Sequence, residues 1–316
     1  MNRARICVCV ATYNQQAHIE ICLRSILDQQ VDADVQVLVG DDASTDGTGA
    51  IVQALAAKYG DRMQHLRREP NLGAFANMRD LLLRVSGDYV ARVDGDDYWL
   101  PGKLARQLAY LQAHPDCSAV YTNAITVDEA GARIGLFNDV GDMRFDLAAL
   151  LRRGNVLNNS SVLFRAANTA GWIDSEQIDY QVHLWQARHD WLGHLGEPLA
   201  AYRVNTQGSL VLSANAHVRE LYWQAIQSVP RELIDNDDYA NGITDFLRRV
   251  CFRALRTRDF ALLHRWACVV YTASPYGRLR TTALTLANIA RMASKLAGPR
   301  LAALAGRKQP PVLYPH

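Results

Sequence analysis

Residues 88–99 read DYVARVDGDDYW, a short apolar run that ends in three carboxylates, Asp94, Asp96 and Asp97. Like charges this close repel one another, so the cluster requires a positive partner. The apolar residues before it are typical of a strand buried on both faces. The sequence therefore predicts a strand over 88–93 that brings three carboxylates to one edge of a sheet.

Strands and helices alternate four times in the first part of the chain. Strands are predicted over 5–11, 35–40, 62–67 and 88–93; helices are predicted over 17–29, 51–59 and 75–85 and from Pro101 onward. This alternation predicts a parallel sheet with helices on both faces. Ligands of such sheets bind beyond the carboxyl ends of the strands. Thr12-Tyr13-Asn14, Asp41-Asp42 and the carboxylate cluster are therefore expected to share one rim.

The rest of the chain changes character twice. Residues 118–165 are β-rich, 166–212 are mixed, and the chain becomes helical from about 213. A length of 316 residues accommodates a large domain and an appendage. We predict an α/β domain over 1–212 and a basic helical region over 213–316.

The net charge of +2 conceals a basic region. From Arg248 onward there are 13 basic residues and one acid, Asp259. Such a surface suits phosphate-rich partners. Over 283–297 one helical face carries Leu286, Ile289, Ala293 and Leu296, and the other carries Asn288, Arg291 and Lys295. This pattern predicts peripheral contact with an anionic membrane through 248–308, or a helix packed on the first domain. Nucleic acid is not an expected partner, because no zinc-finger or RNP motif accompanies the charge.

Six cysteines show no CxxC pair, which favours a reduced, cytoplasmic protein. Cys7 and Cys9 alternate in an apolar run and should point to the same side of one strand. The first residues, MNRARICVCVATYN, lack the long apolar stretch of a leader, and no uncharged apolar run is long enough to span a bilayer.

Each candidate site also has an ordinary structural explanation. The DGDD cluster suits Mg²⁺ or Mn²⁺, which prefer oxygen ligands, but Asp and Gly also favour solvated turns. Asp42 could cap a helix, and Tyr13 could serve packing. A zinc site at His183, His189 and His194 is not expected, because their spacing places them on no single helical face.

The polar clusters, taken together and in this order, resemble the GT-A glycosyltransferases, most closely the inverting family 2. The resemblance covers residues 5–210 and rests on ATYN at 11–14, DDASTDGT at 41–48, NLG at 71–73, GDYVARVDGDDYW at 87–99, KLARQ at 103–107, SSVLFR at 160–165 and EPLAAYR at 197–203. It implies a nucleotide-sugar-binding sheet followed by the helical region.

The resemblance also implies roles for individual residues. Tyr13 and the backbone near Ala11 would contact the nucleotide base, and Asp42 would bind the base or ribose of a UDP-linked sugar. Asp94 and Asp96 would form the family's DxD motif and hold Mg²⁺ or Mn²⁺ against the diphosphate, with Asp97 beside them. The missing positive charge would then be that metal ion, which acts as a Lewis acid toward the leaving diphosphate.

Inverting transfer needs a general base for the acceptor hydroxyl. In the region SEQIDYQVHLW, Asp179 is the first candidate and Glu176 the second, although relatives commonly carry a Glu-Asp pair where this chain has Ile178-Asp179. Arg79 and Arg203 are candidates for the diphosphate. Relatives often place a His two residues after the Tyr-Arg pair, where this chain has Asn205.

The expected function is inverting transfer of a sugar to a hydroxyl of a glycan or lipid-linked glycan, in bacterial surface polysaccharide or lipopolysaccharide synthesis. One alternative is a sugar nucleotidyltransferase, although the stretch ATYNQQAHIE lacks the glycine-rich phosphate loop of that class. The other alternative is a non-catalytic GT-A-like protein that binds a sugar or a partner. An NAD enzyme is disfavoured, because no GxGxxG follows the first strand.

Overall fold

The computed structural model describes residues 3–169, 176, 178–188, 190–204, 215–304 and 310–314. The strands are β1 (Ala4–Thr12), β2 (Ala33–Asp41), β3 (Met63–Arg67), β4 (Tyr89–Asp94), β5 (Tyr98–Trp99), β6 (Cys117–Val127), β7 (Arg133–Asn138), β8 (Met143–Phe145), β9 (Leu163–Arg165), β10 (Trp191–Arg203) and β11 (Val312–Tyr314). The helices are α1 (Ile19–Leu27), α2 (Thr48–Tyr59), α3 (Ala74–Leu83), α4 (Lys103–Ala113), α5 (Leu147–Arg153), α6 (Asp179–Gln186), α7 (Asn215–Gln227), α8 (Asn236–Thr257), α9 (Phe260–Ala273) and α10 (Arg278–Leu304).

The described strands form one sheet with the order β11-β7-β6-β9-β4-β1-β2-β3, and β10 pairs with β5, β6 and β8. The strands β4, β1, β2 and β3 are mutually parallel, as the alternation of strands and helices predicts. The antiparallel strand β9 then joins β4 to β6. The predicted α/β fold with a C-terminal helical segment is confirmed.

Hydrophobic cores lie on both faces of the sheet, because successive side chains of a strand point to opposite sides. In β1, Ile6, Val8 and Val10 enter one core, while Cys7 and Cys9 enter the other. The two cysteines therefore lie on the same side, as predicted. All six cysteines are free thiols.

The strand β10 was not predicted from the sequence. Its 13 residues include Gly193, Gly196 and Pro198, which usually interrupt a strand. The structure accommodates them with register shifts against β6, between Leu195 and Pro198 and again between Pro198 and Ala200. Such irregularities bend a strand and redirect its side chains. The strand β10 ends at Arg203, whose backbone N–H donates to Asp97 in the DGDD turn.

The helices after residue 213 pack on one another, and α8 contacts α5, α9 and α10. The predicted polar face of α10 is wrong at one position. Asn288 is buried rather than solvated and donates a hydrogen bond from Nδ2 to Thr244 Oγ1 at 3.0 Å. Because this pairing satisfies the amide, a polar residue can face α8. Leu279 and Leu286 of the same helix are exposed. No helix in the described ranges is long and apolar enough to cross a membrane.

Candidate functional site

Three polar strand ends meet at one edge of the sheet. In the parallel register Thr12 lies opposite Asp41, and Ala11 lies opposite Asp94. The prediction that these strand ends share a rim is therefore confirmed. The carbonyl of Ala11 accepts a hydrogen bond from Gly95 N at 2.9 Å, which joins β1 directly to the DGDD turn.

Close packing accounts for the glycine of the DGDD turn. A Cβ at Gly95 would lie 2.4 Å from Gln15 Oε1 and 2.9 Å from the Thr12 side chain. A neighbouring contact holds the preceding residue, since Asp94 N donates to Ser160 Oγ at 3.2 Å. The turn is thus fixed against β1 and against the 159–161 segment.

Asp97 is the buried carboxylate of the cluster. Its Oδ1 accepts the backbone N–H of Arg203 at 2.8 Å. Its Oδ2 is buried and has no hydrogen-bond partner of acceptable geometry among the described residues. Burial raises the pKa of Asp97 well above its usual range, and the charges of Asp96 and Asp94 raise it further. The Ser160 hydroxyl and the Arg203 amide act in the opposite direction.

Asp94 and Asp179 come together across the site, although 85 positions separate them in the chain. Both side chains are exposed at the molecular surface, although the protein atoms around each carboxylate partly desolvate it. Desolvation, then the charges of Asp96 and Asp179, raise the pKa of Asp94 to about 7. Desolvation also raises the pKa of Asp179, which begins α6. The first candidate base therefore lies within electrostatic reach of the DGDD cluster.

Glu176 occupies a different environment. Like Asp179 it is exposed, but its carboxylate accepts a hydrogen bond from His217 Nε2 of α7 at 3.0 Å. Glu176 is not among the charges that shift the pKa of Asp94, whereas Asp179 is. Of the two candidates, Asp179 is the one whose charge acts on Asp94.

Sequence reasoning missed one positive charge that acts on these carboxylates. Arg92 is buried, 9% exposed, and its charge opposes the rise in pKa of both Asp94 and Asp179. The signal was present in the sequence, because Arg92 and Asp94 are two positions apart on β4 and so share a face. Arg92 thus supplies part of the positive charge that the carboxylate cluster requires.

Asp42 holds a loop rather than a helix. Its two carboxylate oxygens accept hydrogen bonds from Leu72 N and Gly73 N, each at 2.8 Å. The residue before α2 is Gly47, and the first helical amide, Thr48 N, donates to Asp46 Oδ1 at 2.9 Å rather than to Asp42, so the capping explanation for Asp42 is wrong. Its neighbour Asp41 is also structural, since it accepts hydrogen bonds from Ser44 N and Arg67 Nη1.

The remaining predicted residues lie in different settings. Tyr13 is 48% exposed at the end of β1. Arg79 is exposed on α3. Arg203 is buried, and its guanidinium donates to carbonyl oxygens of Asp96, Asp128 and Glu129 at 3.0, 2.6 and 3.0 Å. Asn205 and His189 lie outside the described residues.

His183 and His194 are buried in different surroundings. His183 contacts the ring of Tyr121 with centroids 4.9 Å apart, and neither of its ring nitrogens has a hydrogen-bond partner among the described residues. The Nδ1 atom of His194 lies within hydrogen-bonding distance of a different group, the carbonyl oxygen of Gly141, at 3.0 Å. Within the described ranges no three His, Cys, Asp or Glu side chains are placed to hold a metal ion by themselves.

The DGDD cluster fits a cation that takes part of its ligand shell from a substrate. Mg²⁺ often uses only one or two protein carboxylates, with phosphates and water completing the shell. Asp94 and Asp96 are the oxygen donors that such an ion prefers, and the buried Oδ2 of Asp97, which has no hydrogen-bond partner among the described residues, lies in the same turn. The donor set therefore suits a diphosphate-bound Mg²⁺ or Mn²⁺.

Comparison with known proteins matches the segment that contains the strand ends and the DGDD cluster. Residues 7–155 match the family model described as glycosyl transferase family 2. The Mycobacterium tuberculosis protein Rv1520 is 34% identical over 202 residues, which cover 62% of this chain and 58% of that protein. The chain thus spans less than two thirds of that relative. The amylovoran biosynthesis glycosyltransferase AmsE of Erwinia amylovora is 29% identical over 206 residues, or 61% of this chain and 71% of AmsE.

Solved structures with similar folds are glycosyltransferases of low sequence identity. The S. aureus TarS 1–349 structure in complex with UDP-GlcNAc has a TM-score of 0.65 at 15% identity and covers 96% of this chain and 92% of TarS 1–349. The mannosyltransferase PcManGT from Pyrobaculum calidifontis, in complex with GDP-Man and Mn²⁺, has a TM-score of 0.53 at 20% identity and covers 93% and 87%. These two confirm the GT-A fold. In sequence, residues 7–155 are similar to glycosyl transferase family 2.

Proposed function

We propose that the protein is an inverting glycosyltransferase that moves a sugar from a UDP-linked donor to a hydroxyl of a glycan or lipid-linked glycan. The observation that supports this most is the convergence of the DGDD cluster and Asp179 at the carboxyl ends of parallel strands. Polysaccharide-synthesis relatives such as AmsE favour bacterial surface polysaccharide or lipopolysaccharide as the product.

The donor half of the site is assigned to the rim of β1, β2 and β4. Tyr13 is exposed and free to lie against a base, and the backbone of Ala11 lies beside it. Asp42 shapes the base and ribose pocket through the loop that it holds at Leu72 and Gly73. Arg79 is assigned to the diphosphate.

The diphosphate would be held at Asp94 and Asp96 through Mg²⁺ or Mn²⁺, with Asp97 beside them. The cation supplies Lewis-acid stabilisation of the charge that develops on the leaving diphosphate. Arg203 fixes the peptide backbone of this turn, because its guanidinium donates to Asp96 O and its amide donates to Asp97. The turn then presents its carboxylates without reorganising, which is the condition for electrostatic catalysis.

Asp179 is assigned as the general base that takes the proton of the acceptor hydroxyl. A positioned base contributes about 10²- to 10⁴-fold to the rate. Arg92 opposes the rise in pKa of Asp179, so the guanidinium favours the ionised form that can accept a proton.

The test is a thermal-shift panel of UDP-, GDP- and dTDP-sugars, each with and without Mn²⁺. A native-state ligand at a hundred times its Kd stabilises by about 2.7 kcal/mol, so one donor should raise the Tm when Mn²⁺ is present. Asp96→Asn should lose this shift, and Asp61→Asn, an exposed matched control, should retain it. A metal-dependent shift without any turnover would support the non-catalytic alternative. An unchanged shift in Asp96→Asn would contradict the DxD assignment.

We also propose peripheral contact between residues 248–308 and the inner face of the plasma membrane. Leu255, Phe260 and Leu279 are 61%, 62% and 90% exposed within this basic region. Exposed apolar side chains among arginines suit the surface of an anionic bilayer. Co-sedimentation with phosphatidylglycerol vesicles should fall when Leu255 and Phe260 are both replaced by Ser, and binding that is unchanged would exclude this surface.

A further inference from the structure

Residues 310–314 return to the catalytic sheet from the helical region. The strand β11 pairs in parallel with β7, with Val312 opposite Leu136 and Tyr314 opposite Asn138. Leu136 N donates to Pro311 O at 2.8 Å. A Cβ at Gly135 would lie 2.2 Å from Pro311 O. The edge of β7 is thus shaped to receive this segment, because only glycine admits so close an approach.

The pairing places Tyr314 at one end of a row of aromatic rings. The ring centroids of Tyr314 and Phe137 are 4.9 Å apart at an interplanar angle of 52°, and those of Phe137 and Tyr202 are 5.2 Å apart at 84°. Tyr202 directly precedes Arg203, whose amide bonds Asp97. The row therefore runs from the sheet edge to the DGDD turn.

The carboxylates of the site act on the two tyrosines of this row. Burial raises the pKa of Tyr202, and the carboxylates Asp97, Asp94 and Asp179 raise it further. Burial also raises the pKa of Tyr314; Arg249 opposes this shift and Asp179 adds to it. Tyr314 is half-buried, so part of its surface stays open to a ligand.

We propose that Tyr314 is an acceptor-positioning residue, whose half-buried ring, packed with Tyr202 on the buried Phe137, forms a wall that receives the acceptor sugar beside Asp179. This inference rests on the proposed function, since it takes Asp179 as the base. Sugar rings present apolar C–H faces as well as hydroxyls, and binding sites combine apolar and aromatic walls with a few polar groups. Tyr314 supplies such a wall, and Asp179 supplies the polar group.

The test distinguishes a role of the Tyr314 ring in acceptor binding from a structural role of the strand β11. Tyr314→Ala removes the ring, Tyr314→Phe keeps it, and Leu313→Ala is the matched control, because Leu313 is 43% exposed on the opposite side of β11. The probes are the methyl glycosides of glucose, galactose and N-acetylglucosamine. Their binding to the full chain is followed by saturation-transfer NMR, with the donor that scores in the thermal-shift panel and Mn²⁺ present.

Tyr314→Ala should weaken glycoside binding about 3- to 10-fold, which corresponds to one aromatic contact. Tyr314→Phe and Leu313→Ala should bind as the wild type does, and all three should keep the donor-induced Tm shift. Equal losses in Tyr314→Ala and Leu313→Ala would show a merely structural strand and overturn the proposal. Unchanged binding in Tyr314→Ala, or a donor-bound wild type that binds none of the glycosides, would also overturn it. If no donor raises the Tm of the wild type in the thermal-shift panel, the proposed function itself would be refuted.

Discussion

Arg203 donates its backbone N–H to Asp97 Oδ1 at 2.8 Å, while its guanidinium donates to the carbonyl of Asp96 at 3.0 Å. The same guanidinium reaches the carbonyls of Asp128 and Glu129. One buried side chain thus joins the DGDD turn, the end of β10 and the β6–β7 turn.

Replacing Arg203 by Lys should destabilise the fold. Lysine keeps the charge but cannot span three carbonyls in the planar geometry of a guanidinium. Hydrogen bonds to charged groups are worth about 1.5–3 kcal/mol each, so we expect the free energy of unfolding in urea to fall by about 2–4 kcal/mol. Arg106→Lys is the control, since its ion pair with Glu197 is exposed and should change stability by less than about 1 kcal/mol. An equal fall in the free energy of unfolding in both variants would contradict the role assigned to the Arg203 side chain.

Asp42→Asn should loosen the loop at 71–73. An amide places its NH₂ donor against one of the two backbone N–H groups that Asp42 now accepts, from Leu72 and Gly73. A hydrogen bond to a charged group is worth about 1.5–3 kcal/mol. Hydrogen exchange at these two amides should accelerate accordingly, and the donor-induced Tm shift should shrink. Asp34→Asn, at an exposed position, should leave both readouts unchanged, and protected loop amides in Asp42→Asn would refute the assignment.

Asp179→Asn should abolish transfer while sparing the donor. We expect kcat to fall by about 10²- to 10⁴-fold, since the amide cannot accept the proton, with the donor-induced Tm shift retained. Glu176→Gln is the matched control, because Glu176 faces His217 at the surface, and its kcat should stay within about twofold of the wild type. The reverse pattern would make Glu176 the base.

His183 should make the fold sensitive to acid. Burial, then the charge of Arg92, lower its pKa to about 3, whereas an unfolded histidine titrates near 6.5. Between these values the unfolded chain binds a proton that the folded chain does not. The contribution of His183 is therefore fully present above about pH 6.5, and it is lost as the pH falls toward about 3, by about 1.4 kcal/mol per pH unit.

Urea unfolding of His183→Leu at pH 7.5, 6, 5 and 4.5 measures this contribution. The free energy of unfolding should fall less steeply on acidification than in the wild type. His264→Leu, at an exposed position, should follow the wild-type slope. Parallel slopes for wild type and His183→Leu would show that His183 is not the acid-sensitive group.

The sequence predicted the parallel sheet and its rim because both depend on local patterns. Apolar runs, helical spacing and polar strand ends are visible within a few residues of each other, and the parallel topology then brings the strand ends together. Arg92 could have been found by the same reasoning, since strand periodicity places it on the face of Asp94.

Other parts of the site depend on partners far apart in the chain. Asp42 reads as a helix cap because its neighbours Ser44 and Thr45 favour caps, yet its partners are amides 30 and 31 positions away. The strand β10 contains residues that usually break strands, and β6 supplies the pairing that keeps them extended. Nothing local in the stretch PPVLY predicts that it reaches β7.

The hydrogen bonds of Arg203 also determine the smallest segment that can be exchanged between this chain and a relative. The family match ends at residue 155, yet the DGDD turn is held by Ser160 and by Arg203. A chimera that exchanged only the matched segment would inherit the carboxylates and lose the groups that fix them. The smallest unit that can be transplanted with the DGDD turn intact therefore extends through Arg203.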